Sequence, residues 1–264
     1  MLYYSCDNMR NRNIENLLNT YLRYSTKKEE YETRFNEPLS DLIKKLVSAL
    51  DNLSFLELIQ GYIEYCDILE VKKENNDETL KLFYSVIESK LDKVEFLPLL
   101  NAFSDLFVEY INAETKLIPV NNRIGVYAEY IKDESYLSYA MKRKNKTKEE
   151  LIKSYRDEIQ SWSELKEKYD LKFHHLERLY LCIQIFLEDK LNHLNFEEIV
   201  PIQYEINEIV DIISEQILIM KEKKLDDKYQ PDLISLCNKL VPNHHYLDSL
   251  DELKKSKINN NEVK

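Results

Sequence analysis

The chain has 264 residues, of which 44% are hydrophobic and 32% charged, with a formal net charge of -11. That balance supplies enough apolar side chain for a packed core and excludes wholesale disorder, and the acidic excess disfavours a protein coated over its whole surface by nucleic acid. Its two glycines, Gly61 and Gly125, leave almost no place for phosphate-cradling loops or for hairpin turns at positive φ, so the chain reads as all-α and non-enzymatic.

Residues 1–14 form a lead-in that lacks the charged start and apolar stretch of a secretory signal. Apolar and tyrosine positions then recur at three and four through Leu17, Leu18, Tyr21, Leu22, Tyr24 and Tyr31, which predicts helix over 14–35. Asn36-Glu37-Pro38 interrupts it, and a second helical pattern runs from Leu39 to Ile68, with Gly61 placed to bend it. The polar run 72–78 predicts a loop whose Asn75, Asn76 and Asp77 can cap a helix over 79–91. Pro98 opens the stretch 99–117.

Pro119 sits near the start of the next stretch, where from Val120 the pattern Ile124, Tyr127, Ile131, Tyr136, Tyr139 and Met141 continues toward Leu151 and Ile159 with no glycine or proline after Gly125. It predicts one unbroken rod over 120–159, well beyond the mean globular helix of about 11 residues. Ser161 and Ser163 are placed to cap a further helix through Leu191, and Pro201 lies near the start of another over 202–220. Residues 226–255 predict short helices, with Pro231 and Pro242 bracketing 233–240, and 256–264 a frayed tail. Gly61-Tyr62-Ile63-Glu64-Tyr65 echoes Val126-Tyr127-Ala128-Glu129-Tyr130, but no sustained period makes this a solenoid.

Lys142, Arg143, Lys144, Lys146 and Lys148 place five cations in seven residues with no acid among them. Such a cluster attracts lipid headgroups or nucleic-acid phosphates, unless Glu149, Glu150, Asp157 and Glu158 neutralise it along a solvated helix. The pairs His174-His175 and His244-His245 point about 100° apart on a helix and cannot clasp one ion, and His193 stands alone, so no metal is expected. Cys6, Cys66, Cys182 and Cys237 form no C-x-x-C pair, which predicts reduced thiols and neither a disulfide framework nor structural zinc. A helix-turn-helix over 163–179 would put Lys166 at a small buried position and Asp170 in a turn that favours glycine, which argues against it. The longest nearly apolar run, 179–187, is too short to cross a bilayer. No catalytic constellation and no cofactor motif is expected.

The segment from Ile118 to Tyr130, continuing through Ser138-Tyr139-Ala140-Met141 to Lys142-Arg143-Lys144, resembles the middle helix of BAR domains of the sorting-nexin type. Tyr127-Ala128-Glu129-Tyr130 and Lys142-Arg143-Lys144 match that family's tyrosine pair and basic element in order, while Asn145 stands where the family usually has Asp. Tyr24 to Tyr31 is similar to the first-helix entry, no PX module precedes it, and the resemblance could cover 15–225. It implies an elongated antiparallel bundle that pairs with itself or a related chain and meets curved anionic membrane through Lys142, Arg143, Lys144, Lys146 and Lys148, with the tyrosines packing. The chain is thus expected in the cytoplasm, peripheral to endomembranes. A compact helical module that binds or inhibits another protein, with no membrane role, is the alternative.

Overall fold

A computed structural model describes residues 12–72, 77–225 and 230–241. Cys6, His244, His245, the caps Asn75 and Asn76, and the tail lie outside them. Every regular element among the described residues is helical, which makes the fold all-α. The described residues divide into two units, one built from those up to Leu106 together with Leu181–Glu198, the other from Phe107–Tyr180 and the described residues from Ile199 onward.

In the first unit α1 (Arg12–Tyr24), α2 (Lys28–Phe35) and α3 (Leu39–Asp51) replace the single helix expected over 14–35 and the start of the next. α1 stops at Ser25-Thr26-Lys27 because Tyr24 and Tyr31 must meet, their buried rings 5.5 Å apart with Phe35 closing the cluster. Asn36, at φ 49°, ends α2, and Pro38 precedes the first turn of α3. The helix expected over 39–68 also divides, into α3 and α4 (Phe55–Lys72). The break is a reciprocal cap: the Ser54 amide donates to the Glu57 carboxylate at 2.8 Å and the Glu57 amide to the Ser54 hydroxyl at 3.3 Å. α5 (Asp77–Leu91) falls where the pattern places it and packs on α3 and α4, burying Leu46, Leu50, Leu58, Ile87 and Leu91 completely.

α6 (Phe96–Lys132) carries Pro98 in its first turn, where a missing N–H costs nothing, and Pro119 deep inside. α7 (Glu134–Lys144) and α8 (Lys148–His193) follow, then the short α9 (Phe196–Ile199), a 3₁₀ turn at Val200–Ile202, α10 (Gln203–Lys223) and α11 (Gln230–Leu240). The rod expected over 120–159 is therefore wrong: it is cut at Asp133 and at Asn145–Thr147. Ser161 and Ser163 start no new helix either, since α8 runs straight through both. That continuity also removes the helix-turn-helix register, because Asp170 sits within α8 as the i+4 partner of Lys166 at 3.9 Å.

In the second unit Phe107, Tyr110, Phe173 and Tyr180 form a ladder of rings, Tyr110 lying 5.5 Å from Tyr180 and 4.9 Å from Phe173. Lys172 is 4% exposed beside it and pairs with Glu109 at 3.6 Å, the compensation a buried ammonium requires. α10 buries Ile206, Ile209, Val210, Ile213, Ile217 and Met220, the stripe its period predicts, and packs on α11. Burial on α11 pushes the Cys237 thiol up to about 11, against a weaker opposite pull from the Ser214 hydroxyl. The left-handed positions among the described residues are Asn36, Asn145 and Lys224, and none is a glycine. Glycine scarcity is thus met by asparagine, whose short polar side chain tolerates αL, and by one lysine.

Candidate basic face at the α7–α8 turn

α7 exists because its two ends are chemically closed. At the start, the Asp133 carboxylate accepts the Ser135 and Tyr136 amides at 2.9 and 3.0 Å and the Ser135 hydroxyl at 2.6 Å. These bonds, the Ser135 hydroxyl foremost, hold its carboxyl below the usual aspartate range. A depressed folded value means the cap is fully present above the ordinary aspartate range and is lost as pH falls through the lowered one. The Ser135 and Tyr136 amides should therefore lose exchange protection in acid, as read by NMR. Asp133→Asn keeps a capping oxygen and should make that protection insensitive to pH; an identical acid response in the variant would refute the assignment.

At the other end Asn145 adopts φ 49° and ψ 47°, and both its amide and that of Lys146 turn back to the Met141 carbonyl, the latter at 3.4 Å. Thr147 and Glu150 then open α8 reciprocally: the Thr147 amide donates to the Glu150 carboxylate at 2.8 Å and the Glu150 amide to the Thr147 hydroxyl at 3.2 Å. Asn145→Val should destabilise the protein by about 1–2 kcal/mol, the steric cost of a branched side chain in the left-handed region, while Asn145→Gly should be neutral or better. Equal urea midpoints for the two variants would show that the turn does not hold this conformation in solution.

The chain reverses here because α7 has an apolar face to bury. Leu137 and Ala140 pack on Leu151 and Tyr155 of α8, with Ile131, Met141 and Ile152 around them. Tyrosine rings seal this core: Tyr130 stacks on Tyr136 at 3.9 Å and 14°, and Tyr127 and Tyr130 lie 5.8 and 5.7 Å from Tyr155. The Tyr136 phenol is raised, first by the neighbouring Tyr155 hydroxyl and then by burial.

The opposite face of α7 carries Ser135, Tyr139, Lys142 and Arg143 into solvent, and Tyr139 is 58% exposed. The five cations singled out in the sequence do not act alike. Lys148 is engaged, its ammonium 2.6 and 2.8 Å from the two oxygens of Glu134 at the start of α7. Lys144 lies over the Tyr155 ring, 5.3 Å from its centre. Lys142, Arg143 and Lys146 are exposed and have no carboxylate within ion-pair distance among the described residues. Glu149, Glu150, Asp157 and Glu158, the acids that could have neutralised the cluster, form no ion pair with it; Glu150 is spent on the cap. Lys142, Arg143 and Lys144 also occupy the last turn of α7, where positive charge complements the helix dipole. Sequence reasoning missed Glu134, fourteen residues from its lysine, and Asp133. The Asp133-x-Ser135 and Thr147-x-x-Glu150 capping patterns were the signals available.

Two of the histidines singled out in the sequence have local partners. His174 faces Glu177 at 3.5 Å, and the His193 ring lies 2.7 Å from the Asp189 carbonyl one turn back. Among the described residues no group of three His, Cys, Asp or Glu is arranged to hold a metal ion, and no helix is long and apolar enough to cross a membrane. Set against known protein families, curated proteins and solved structures, the chain matches none of them.

Proposed function

We propose that the protein is a non-enzymatic helical scaffold that meets anionic membrane through the exposed end of α7 and the turn into α8. The observation that carries this reading is the grouping of Lys142, Arg143 and Lys146, free of carboxylate partners among the described residues, beside the exposed Tyr139 in a chain of net charge -11. An acidic protein repels an anionic bilayer over most of its surface, so uncompensated cations at one place favour one orientation of approach. Each contributes about 1 kcal/mol near an anionic leaflet, and a tyrosine among them suits the headgroup zone.

The assembly that fits the sorting-nexin resemblance is a BAR-like antiparallel dimer peripheral to endomembranes. With the rod cut at Asp133 and Asn145, the basic side chains lie at one helix end and its turn, so the reading rests on local charge and makes no appeal to a long curved face. Sedimentation with phosphatidylserine vesicles tests it. Binding should fall steeply as salt rises, because exposed charges are screened beyond about 8 Å at physiological ionic strength. Binding to neutral vesicles as strong as to anionic ones would overturn it. A gel shift with duplex DNA or RNA at low salt, without vesicle binding, would move the same face to nucleic acid.

A second reading, a protein-interaction module without a membrane role, is favoured by apolar exposure elsewhere. Val200, Tyr204 and Ile212 are 54%, 71% and 43% exposed on the turn before α10 and on α10 itself. Vesicle binding that survives substitution of all three by serine would separate that surface from the basic one.

A further inference from the structure

The turn that carries the free cations also carries a hydroxyl. Residues 145–147 are the non-helical link between α7 and α8, and Thr147 is exposed within it. Its oxygen accepts the Glu150 amide at 3.2 Å, and its own proton is donated to no described group. Ser135 and Ser138 lie within α7 and Ser154 within α8, where helical hydrogen bonds hold the backbone. Thr147 is therefore the hydroxyl of this region that an enzyme requiring an extended acceptor reaches at least cost. On its amino-terminal side stand Lys142, Arg143, Lys144 and Lys146, the setting an acid-lined kinase cleft selects.

We propose that Thr147 is a phosphorylation site for a basic-directed serine/threonine protein kinase, and that phosphate there releases the α7–α8 face from anionic membrane; the second half rests on the membrane reading above. In the transfer, the Thr147 Oγ1 attacks the γ-phosphorus of magnesium-bound ATP. The new O–P bond replaces the bond to the β-phosphate, ADP leaves, and the hydroxyl proton passes to the kinase's base. The product adds about two negative charges at neutral pH. It stands at the α8 N-terminus, where amides and the helix dipole favour an anion, so α8 is kept although the Glu150 carboxylate is repelled from its cap. What changes is the face. The three uncommitted positive charges of Lys142, Arg143 and Lys146 are offset by about two negative charges on the residue that follows Lys146 in the chain.

The test incubates the full chain with ATP and a basic-directed serine/threonine kinase, locates phosphate by peptide mass spectrometry, and titrates both forms with phosphatidylserine vesicles. Expected are phosphate at Thr147, none in this region of Thr147→Ala, restored acceptance in Thr147→Ser, and vesicle affinity about 30-fold weaker for the phosphorylated protein, from two charges at about 1 kcal/mol each. Thr147→Ala, checked for unchanged helical circular dichroism, should bind vesicles as wild type does. Failure to take up phosphate between residues 135 and 154, or equal uptake there by Thr147→Ala, overturns the site. Binding that survives full phosphorylation overturns the switch alone. Absence of binding by the unphosphorylated protein overturns the membrane reading, and the switch with it.

Discussion

Replacing Lys142, Arg143 and Lys146 together by glutamine should weaken binding to phosphatidylserine vesicles about 150-fold, the loss of three charges at about 1 kcal/mol each. The same count applied to Lys144 and Lys148 should mislead. Lys148 already faces Glu134 at 2.6 Å, so Lys148→Gln removes one positive charge and leaves an uncompensated carboxylate beside the face. Lys144 lies over Tyr155, and its loss strips a ring contact from the α7–α8 core as well as a charge. The triple variant should leave the urea midpoint nearly unchanged, because its side chains are exposed and unpaired among the described residues; a small decrease is allowed for the helix-dipole partners Lys142 and Arg143. A triple variant that binds within a few-fold of wild type would show that the face is a solvated helix end and nothing more.

The second large effect is a gain. Pro119 sits inside α6, exposed, with its ring in place of the N–H that the Thr115 carbonyl would otherwise accept. Proline in a helix interior costs about 3 kcal/mol relative to alanine, and its stiffness in the unfolded chain returns only about 0.4–1 kcal/mol. Pro119→Ala should therefore stabilise the protein by about 2 kcal/mol, raising the thermal midpoint by about 4–8 °C. Leu117 and Val120, both buried next to it, keep their packing because alanine at 119 faces solvent. An unchanged or lowered midpoint would mean that α6 is not continuous through this position in solution. A helix that retains such a residue is one whose tertiary packing outweighs local propensity.

The stripe on α10 and the span of α5 were legible because each is a short amphipathic pattern between clear breakers. Pro119 misled in the opposite direction: it suggested a helix start, whereas the buried apolar positions on both sides, Tyr110, Ile111, Leu117 and Val120, carry one helix across it. In the stretch 120–159 the periodicity of apolar residues continued across two points where the backbone does not. A helical period reports which face is apolar, and that face can be kept in step by a chain that turns and resumes.

By itself the sequence determined that this protein is helical, that it has almost no glycine for tight turns, and that five cations cluster over 142–148. Only the tertiary structure decided that α7 folds against α8, because burying Leu137 and Ala140 on Leu151 and Tyr155 favours a turn whose Asp133, Asn145 and Thr147 caps are otherwise ordinary exposed polar residues. That turn brings Glu134 to Lys148 and Tyr155 under Lys144, and so leaves three cations uncommitted where the sequence counted five. The physical reason is one of range: caps and apolar periods act over three or four residues, while the charge left for a partner depends on what the folded chain brings together from fourteen residues away.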